Sequence, residues 1–156
     1  MDLSSLKDTK KLSEKISKII KLGDTIFLYG EIGVGKTTFV RFLVNHLEVE
    51  NKIKKSDILS PTFNIVYDYE IKETKILHYD LYRLKNYKDI LQLGIFENSK
   101  ENVKIIEWPE LIEIKPKDRI DLLFKYTELE DVREVKITGF GKWKDYKFDE
   151  IYNRSN

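Results

Sequence analysis

Thr25-Ile26-Phe27-Leu28-Tyr29 runs without a break into Gly30-Glu31-Ile32-Gly33-Val34-Gly35-Lys36-Thr37. The first five residues are a short apolar strand, and the next eight satisfy G-x-x-x-x-G-K-[ST]. Beyond them Phe39, Phe42, Leu43 and Leu47 fall on one side of a helical pattern. Strand, glycine loop and helix in this order form a phosphate cradle. The glycines let the backbone curl so that successive N–H groups point at phosphate oxygens, Lys36 reaches the β- and γ-phosphates, and the Thr37 hydroxyl ligates magnesium. The helix that starts here aims its positive end at the same anion. From ordinary residue frequencies, a chance match in a chain of this length arises in under roughly 1% of cases, which disfavours a mere glycine turn beside a surface lysine.

Outward from the loop, the chain reads as one domain. Its 156 residues suffice for a core but are short for two nucleotide-handling domains. On the N-terminal side, Leu12, Ile16, Ile19 and Ile20 recur at helical spacing from Asp8 to Leu22, with Gly23 as the expected stop. On the C-terminal side, strand-like runs cover Phe63 to Tyr69, Lys75 to Tyr82, Val103 to Glu107, Ile120 to Tyr126 and Val132 to Thr138, with a short helix near Tyr87 to Leu93. Strands alternating with helices predict an α/β fold, a P-loop NTPase-type three-layer sandwich around a mixed, largely parallel sheet. The closely spaced runs either side of Glu70 to Thr74 predict an antiparallel hairpin within it. Residues 1–141 form this domain, and 142–156 read as a tail: a final helix, a docking segment, a cover for the nucleotide cleft, or disorder.

Charge and composition narrow the function. The 28 Lys and Arg nearly balance 27 Asp and Glu, giving a net charge of +1, so no broad basic footprint grips nucleic acid directly. No DNA partner is expected, and any RNA contact would run through other proteins. Cysteine is absent, which excludes disulfides, thiolate zinc sites and cysteine nucleophiles. No run approaches the roughly 20 apolar residues of a membrane span, and Met1 to Ser13 is too polar for a secretory signal. A cytoplasmic location is the expectation.

A phosphate cradle needs a carboxylate at the end of a neighbouring strand, for magnesium and for the attacking water. Two runs supply one, Val103-Lys104-Ile105-Ile106-Glu107 and Ile76-Leu77-His78-Tyr79-Asp80. Taken alone, each is equally a solvated or lysine-paired surface acid. Ser60-Pro61-Thr62 falls where a nucleotide-sensing loop sits, with the Thr62 hydroxyl aimed at the γ-phosphate or magnesium; the bland alternative is a proline turn that opens a strand.

The glycine loop, Ser60-Pro61-Thr62-Phe63, His78-Tyr79-Asp80-Leu81-Tyr82-Arg83-Leu84 and Glu107-Trp108-Pro109-Glu110, in this order and with Leu93-Gly94-Ile95 between the last two, resemble the TsaE (YjeE) family. The resemblance runs from about Thr9 to Gly141 and includes the closing stretch from Arg133 to Gly141. It implies an ATPase that acts with TsaB and TsaD in adding threonylcarbamoyl to the adenosine beside the anticodon of tRNA. Carried onto this chain, it makes Thr37 and Glu107 the Mg2+ ligands, with Lys36 on the terminal phosphates of ATP and Thr38 on the α-phosphate side. Asp80 becomes the carboxylate that supports water attack. Thr9 is placed beside the adenine, and Trp108, Glu110 and Arg133 around the nucleotide. The residues themselves leave other readings open: Thr9 as an ordinary first-turn residue, Trp108 as a core aromatic, Arg133 as a surface cation. Ile32 and Val34 stand where the family often has Leu and Ala, and neither side chain serves the phosphates.

The remaining candidates read as structural. His46 and His78 are far apart in sequence and have no cysteine to join them at a metal, though His78 also suits a place lining the cleft. Lys52, Lys54 and Lys55 read as a solvated loop. Tyr82 suits docking or loop positioning, and Arg83 is either a salt-bridge partner or a charge-stabilising group in phosphoryl transfer. No water-orienting glutamine sits in a switch, so catalysis alone is expected to be slow. Two other function classes compete. A small metabolite kinase would need an arginine-rich lid that the chain lacks; a binding module would use nucleotide occupancy only to license docking. A GTPase is disfavoured because Asn51-Lys52-Ile53-Lys54 lacks the guanine-reading aspartate.

Overall fold

In the computed structural model, which describes residues 1–97, 100–129 and 132–153, the apolar run Thr25–Tyr29 is strand β2, and it is buried almost end to end. The elements before it are a two-residue strand β1 (Asp2–Leu3) and helix α1 (Leu6–Ile19). After it come α2 (Lys36–Glu50), β3 (Val66–Ile71), β4 (Thr74–Asp80), α3 (Tyr87–Gln92), β5 (Val103–Glu107), β6 (Arg119–Tyr126), β7 (Arg133–Phe140) and α4 (Phe148–Asn153). The sheet order is β1-β7-β6-β2-β5-β4-β3. Neighbours among β6, β2, β5 and β4 run parallel, whereas β3, β7 and β1 join antiparallel at the flanks. The mixed sheet is therefore as expected, with parallel strands confined to its centre. Both faces of β2 and β5 are covered, which is why apolar residues sit side by side in them, Ile26-Phe27-Leu28 in one and Ile105-Ile106 in the other, rather than alternating.

Alternation sends Ile26 and Leu28 to one face, where they meet Leu12 and Ile16 of α1 and Phe39, Val40, Leu43 and Val44 of α2. Phe27 goes to the other face, with Tyr79, Ile106, Ile112 and Ile90 of α3. These are the outer layers, α1, α2 and α4 on one side and the slighter α3 side on the other. No helix among the described residues is long and apolar enough to cross a membrane.

Local chemistry moves several element ends from their expected places. Helix α1 stops at Ile19, before Gly23, because the buried Asp24 carboxylate takes the Lys21 N–H at 2.7 Å and closes a turn. Strand β3 begins at Val66 rather than Phe63. Ile65 adopts a left-handed φ of 67° and donates its N–H to the Pro61 carbonyl, which curls the chain just before the strand. Strand β4 ends at Asp80 rather than Tyr82, since the Asp80 carboxylate accepts the Tyr82 N–H at 3.0 Å. The hairpin around Glu70 to Thr74 forms as expected, with Ile71 opposite Thr74.

Among the described residues, the tail does not line the cleft. Its first turn is held by Lys142, whose N–H donates to Asp118 Oδ1 and whose ammonium pairs with Asp24. Asp24 and Asp118 immediately precede β2 and β6, so this anchor lies at the amino ends of the parallel strands, away from the glycine loop at their carboxyl ends. Trp143 and Phe148 then enter the α1–α2 core, and α4 packs on α1. Residues 154–156, the last of the segment set apart as a tail, lie outside the described residues. The close approach that admits the tail is at Gly139, where a Cβ would sit 2.0 Å from the Trp143 carbonyl oxygen. Gly139→Ala is expected to destabilise the fold by about 1–3 kcal/mol, as overpacking does; urea denaturation checks this, and an unchanged midpoint would contradict it.

Candidate functional site

The glycine loop leaves the carboxyl end of β2, where open α/β sheets place their ligands. Gly30, Gly33 and Gly35 have φ values of 133°, 75° and 115°, a left-handed run that side-chain-bearing residues resist. Gly30 is also steric, because a Cβ there would lie 2.5 Å from the Phe124 carbonyl oxygen of β6. Val34 is buried beneath the loop and pins it to the core, while Ile32 points outward. Helix α2 then starts with no side-chain cap and no acidic residue in its first turn. Its first amides and dipole end are left for an anion.

A cavity of about 290 Å3 opens in front of the loop. It is lined by Ile32, Gly33, Gly35, Lys36, Thr37 and Thr38 from the loop and α2, and by Thr62, Asp80, Glu107 and Trp108 from elsewhere. Ser60 and Tyr82 complete the wall. Gly30, Glu31 and Glu110 line an adjoining recess that shares Ile32, Tyr82 and Trp108 with the cavity. Three of the residues expected at the nucleotide, Val34 beneath the loop, Thr9 and Arg133, line neither space. Thr9 is buried on α1, its carbonyl accepting the Ser13 hydroxyl. Arg133 lies over the Tyr126 ring at 4.5 Å, and it is Tyr126 that touches the loop, donating its hydroxyl to the Ile32 carbonyl at 2.8 Å.

Register brings the acids together. Parallel pairing sets Asp80 directly opposite Glu107, and His78 opposite Ile105, at the carboxyl ends of β4 and β5. All three side chains face α2, because they alternate with Tyr79 and Ile106 of the opposite core. Glu107 accepts the Thr37 hydroxyl at 2.9 and 3.1 Å on its two oxygens, and its Oε1 also lies 2.8 Å from His78 Nε2. Asp80 Oδ2 accepts the hydroxyls of Ser60 and Thr62 at 2.5 and 2.7 Å. The Ser60-Pro61-Thr62 stretch is thereby clasped to β4. Ile65 passes its carbonyl to the Asp80 N–H at 2.9 Å, so the same left-handed residue that delays β3 steadies the carboxylate.

Lys36 is folded onto its own loop. Its ammonium donates to the carbonyls of Gly30 and Glu31 at 2.6 and 2.9 Å and sits 3.9 Å from the centre of the Trp108 ring. Burial pushes its pKa below the ordinary lysine value, and the neighbouring Glu107, Glu110 and Asp80 oppose that fall. A cation held by neutral carbonyls and an aromatic face is poised to take a phosphate oxygen instead. Trp108 holds a left-handed φ of 59° and packs on Tyr82 with ring centres 4.8 Å apart. Strained non-glycine residues of this kind gather at working sites.

The oxygen donors suit a small hard cation. Thr37 Oγ1 and the Glu107 carboxylate are already within 3.1 Å of each other, and a bound triphosphate and water would supply the rest of an octahedral shell. The geometry thus carries what a nucleotide phosphate site requires: an anion cradle, a mobile cation, a hydroxyl–carboxylate pair and a second carboxylate beside it. Sequence reasoning did not single out Tyr126 or the bond from Ser60 to Asp80. It also set His78 aside as structural, although its two-residue spacing from Asp80 puts both on one strand face.

The model of a protein family described as "Threonylcarbamoyl adenosine biosynthesis protein TsaE" matches residues 3–135. A relative from Rickettsia felis, named tRNA threonylcarbamoyladenosine biosynthesis protein TsaE, is 40% identical over 110 residues, 70% of this chain but only 62% of its own length. One of the same name from Rickettsia bellii is 35% identical over 138 residues, covering 88% of this chain and 92% of its own. Among solved structures, the crystal structure of Bacillus subtilis YdiB superposes with a TM-score of 0.76 over 100% of this chain and 95% of that one, at 24% identity. That last likeness is one of fold.

Proposed function

This chain belongs to the TsaE family, and on that premise we propose that it is a magnesium-dependent ATPase serving threonylcarbamoyl addition to the adenosine beside the anticodon of tRNA. It works with a TsaB–TsaD heteromer in the cytoplasm and meets tRNA only through that assembly, without DNA or membrane contact. The observation that carries the reading is the meeting of Lys36, Thr37, Glu107 and Asp80 on one cavity wall.

ATP enters with its β- and γ-phosphates against the loop amides, and Lys36 leaves the carbonyls of Gly30 and Glu31 for phosphate oxygens. Thr37 and Glu107 would hold Mg2+, which when bound neutralises β,γ-oxygen charge. Asp80 orients a water in line with the γ-phosphorus and accepts its proton, the bond to the bridging oxygen breaks, and ADP and phosphate result. In this structure, however, Asp80 is occupied on both oxygens, by Ser60 and Thr62 on one and by the Tyr82 N–H on the other. That supports slow turnover alone, with the TsaB–TsaD complex completing the site and hydrolysis resetting the complex through the Ser60-Pro61-Thr62 loop.

The test is ATP hydrolysis by the purified protein, alone and with a TsaB–TsaD complex, with Glu107→Ala as control. Stimulation that the control abolishes is expected. Partner-independent transfer of phosphate to a small metabolite would mean a kinase instead. Asp80→Asn should keep ATP affinity near wild type and lower hydrolysis by about 100-fold or more, the usual worth of a positioned base. Equal loss of binding and hydrolysis would remove Asp80 from that role, and unchanged tRNA modification by a protein that binds but cannot hydrolyse would favour a nucleotide-gated binding module.

A further inference from the structure

His78 is fully buried in β4, and among the described residues its side chain hydrogen-bonds to Glu107 alone. A carboxylate offers acceptors only, so Nε2 carries the ring proton and donates it to Oε1 at 2.8 Å. The other ring nitrogen, Nδ1, has no hydrogen-bond partner among the described residues. A histidine kept for packing would gain from having none of this. An apolar side chain would fill the same space between the sheet and α2 without leaving a buried acceptor unpaired, which costs about 1–3 kcal/mol. The ring's polar contribution is thus a single bond, made to a single atom of the site.

That bond makes the two oxygens of Glu107 unequal. Oε1 takes both His78 and the nearer approach of the Thr37 hydroxyl, at 2.8 and 2.9 Å, whereas Oε2 receives only the longer Thr37 contact at 3.1 Å. A glutamate at the end of a strand otherwise turns about its side-chain torsions, and Lys36 and Asp80 lie close enough to draw it or push it away. We infer that His78 is a positioning residue that clamps Oε1 so that Oε2 faces the cation shared with Thr37, setting the Mg2+ demand of nucleotide binding. This rests on the nucleotide-site reading above and deepens it by assigning the residue that orients the Glu107 ligand.

The test reads binding, not turnover. A fluorescent mant-labelled, non-hydrolysable ATP analogue is titrated by anisotropy at a series of Mg2+ concentrations, and again in EDTA, for wild type, His78→Leu, His78→Gln and His78→Asn. The amide of glutamine reaches the Nε2 position, and that of asparagine stops near Nδ1. His78→Leu and His78→Asn are expected to raise the Mg2+ half-saturation on the order of 10-fold or more, the usual cost of losing a partner of a metal ligand. His78→Gln should restore it, and the affinity measured in EDTA should be the same for all. A merely structural histidine would predict changes in the melting temperature with an unmoved Mg2+ demand, and that result in whichever of His78→Leu and His78→Asn folds, both lacking a donor at the Nε2 position, overturns the inference. Should wild-type binding prove indifferent to Mg2+, the nucleotide-site reading fails first and takes this one with it; a normal wild-type response with unresponsive variants sinks His78 alone.

Discussion

Lys36→Ala is expected to weaken ATP binding by more than 100-fold while leaving the protein folded. The ammonium is held in place by the Gly30 and Glu31 carbonyls, whose residues line the recess beside the cavity, and by the ring of Trp108, which lines both. Without the lysine, those carbonyls lie beside an open recess from which water can hydrate them, so the cost to the fold is small. The bound state, by contrast, loses charge-assisted bonds worth about 1.5–3 kcal/mol each. Two of them come to about 3 kcal/mol or more, beyond two decades in affinity. Isothermal titration with ATP and Mg2+ measures the first half, and thermal melting the second. An affinity within a few-fold of wild type would show that the loop amides hold the nucleotide unaided.

Truncation after Gly141 is expected to do the reverse, by removing the fold rather than the site. Trp143 and Phe148 are each 7% exposed and belong to the core that also contains Leu12, Ile16 and Phe39. Removing one buried aromatic side chain costs about 3–5 kcal/mol. Two such losses, together with that of the Lys142 cation paired with the buried Asp24 carboxylate, approach the whole of about 5–15 kcal/mol by which such domains are stable. Urea unfolding followed by circular dichroism should show little or no cooperative transition. A truncated protein with the wild-type midpoint would contradict the packing described for this segment.

What was readable in the chain, and what was not, divides along a physical line. Strand β5 was legible to the residue, because Val103, Ile105 and Ile106 mark a strand covered on both faces, the lone Lys104 within it being buried against the Asn102 side chain, and the run closes on Glu107. The glycine loop was legible because its backbone angles admit little but glycine. Pairing across the sheet was not. Nothing local to His78 says that it will stand beside Glu107, twenty-nine positions away; only the parallel register of β4 on β5 decides that. Ile65 and Trp108 escaped for the opposite reason. Residues of their type avoid left-handed backbone, so the bends they make contradict local preference and depend on tertiary bonds at Pro61, Asp80 and Leu28. Strand β1 is two residues long and has no periodicity to read. The tail was mistaken for a possible cover because its aromatic residues alternate with charges, a pattern shared by surfaces and by segments that lay one side on a core.

The strand order also governs when the parts come into being during synthesis. Strand β2, which carries the glycine loop, pairs only with β5 and β6, both translated long after it, and β1 waits longer still for β7. The first strand pairing available to the growing chain is the β3–β4 hairpin, local in sequence and at the far edge of the finished sheet. Until the ribosome has released β6, the loop has no Phe124 carbonyl to lean on and no Glu107 to answer Thr37. The cavity in front of the glycine loop is therefore among the last features of the molecule to be completed.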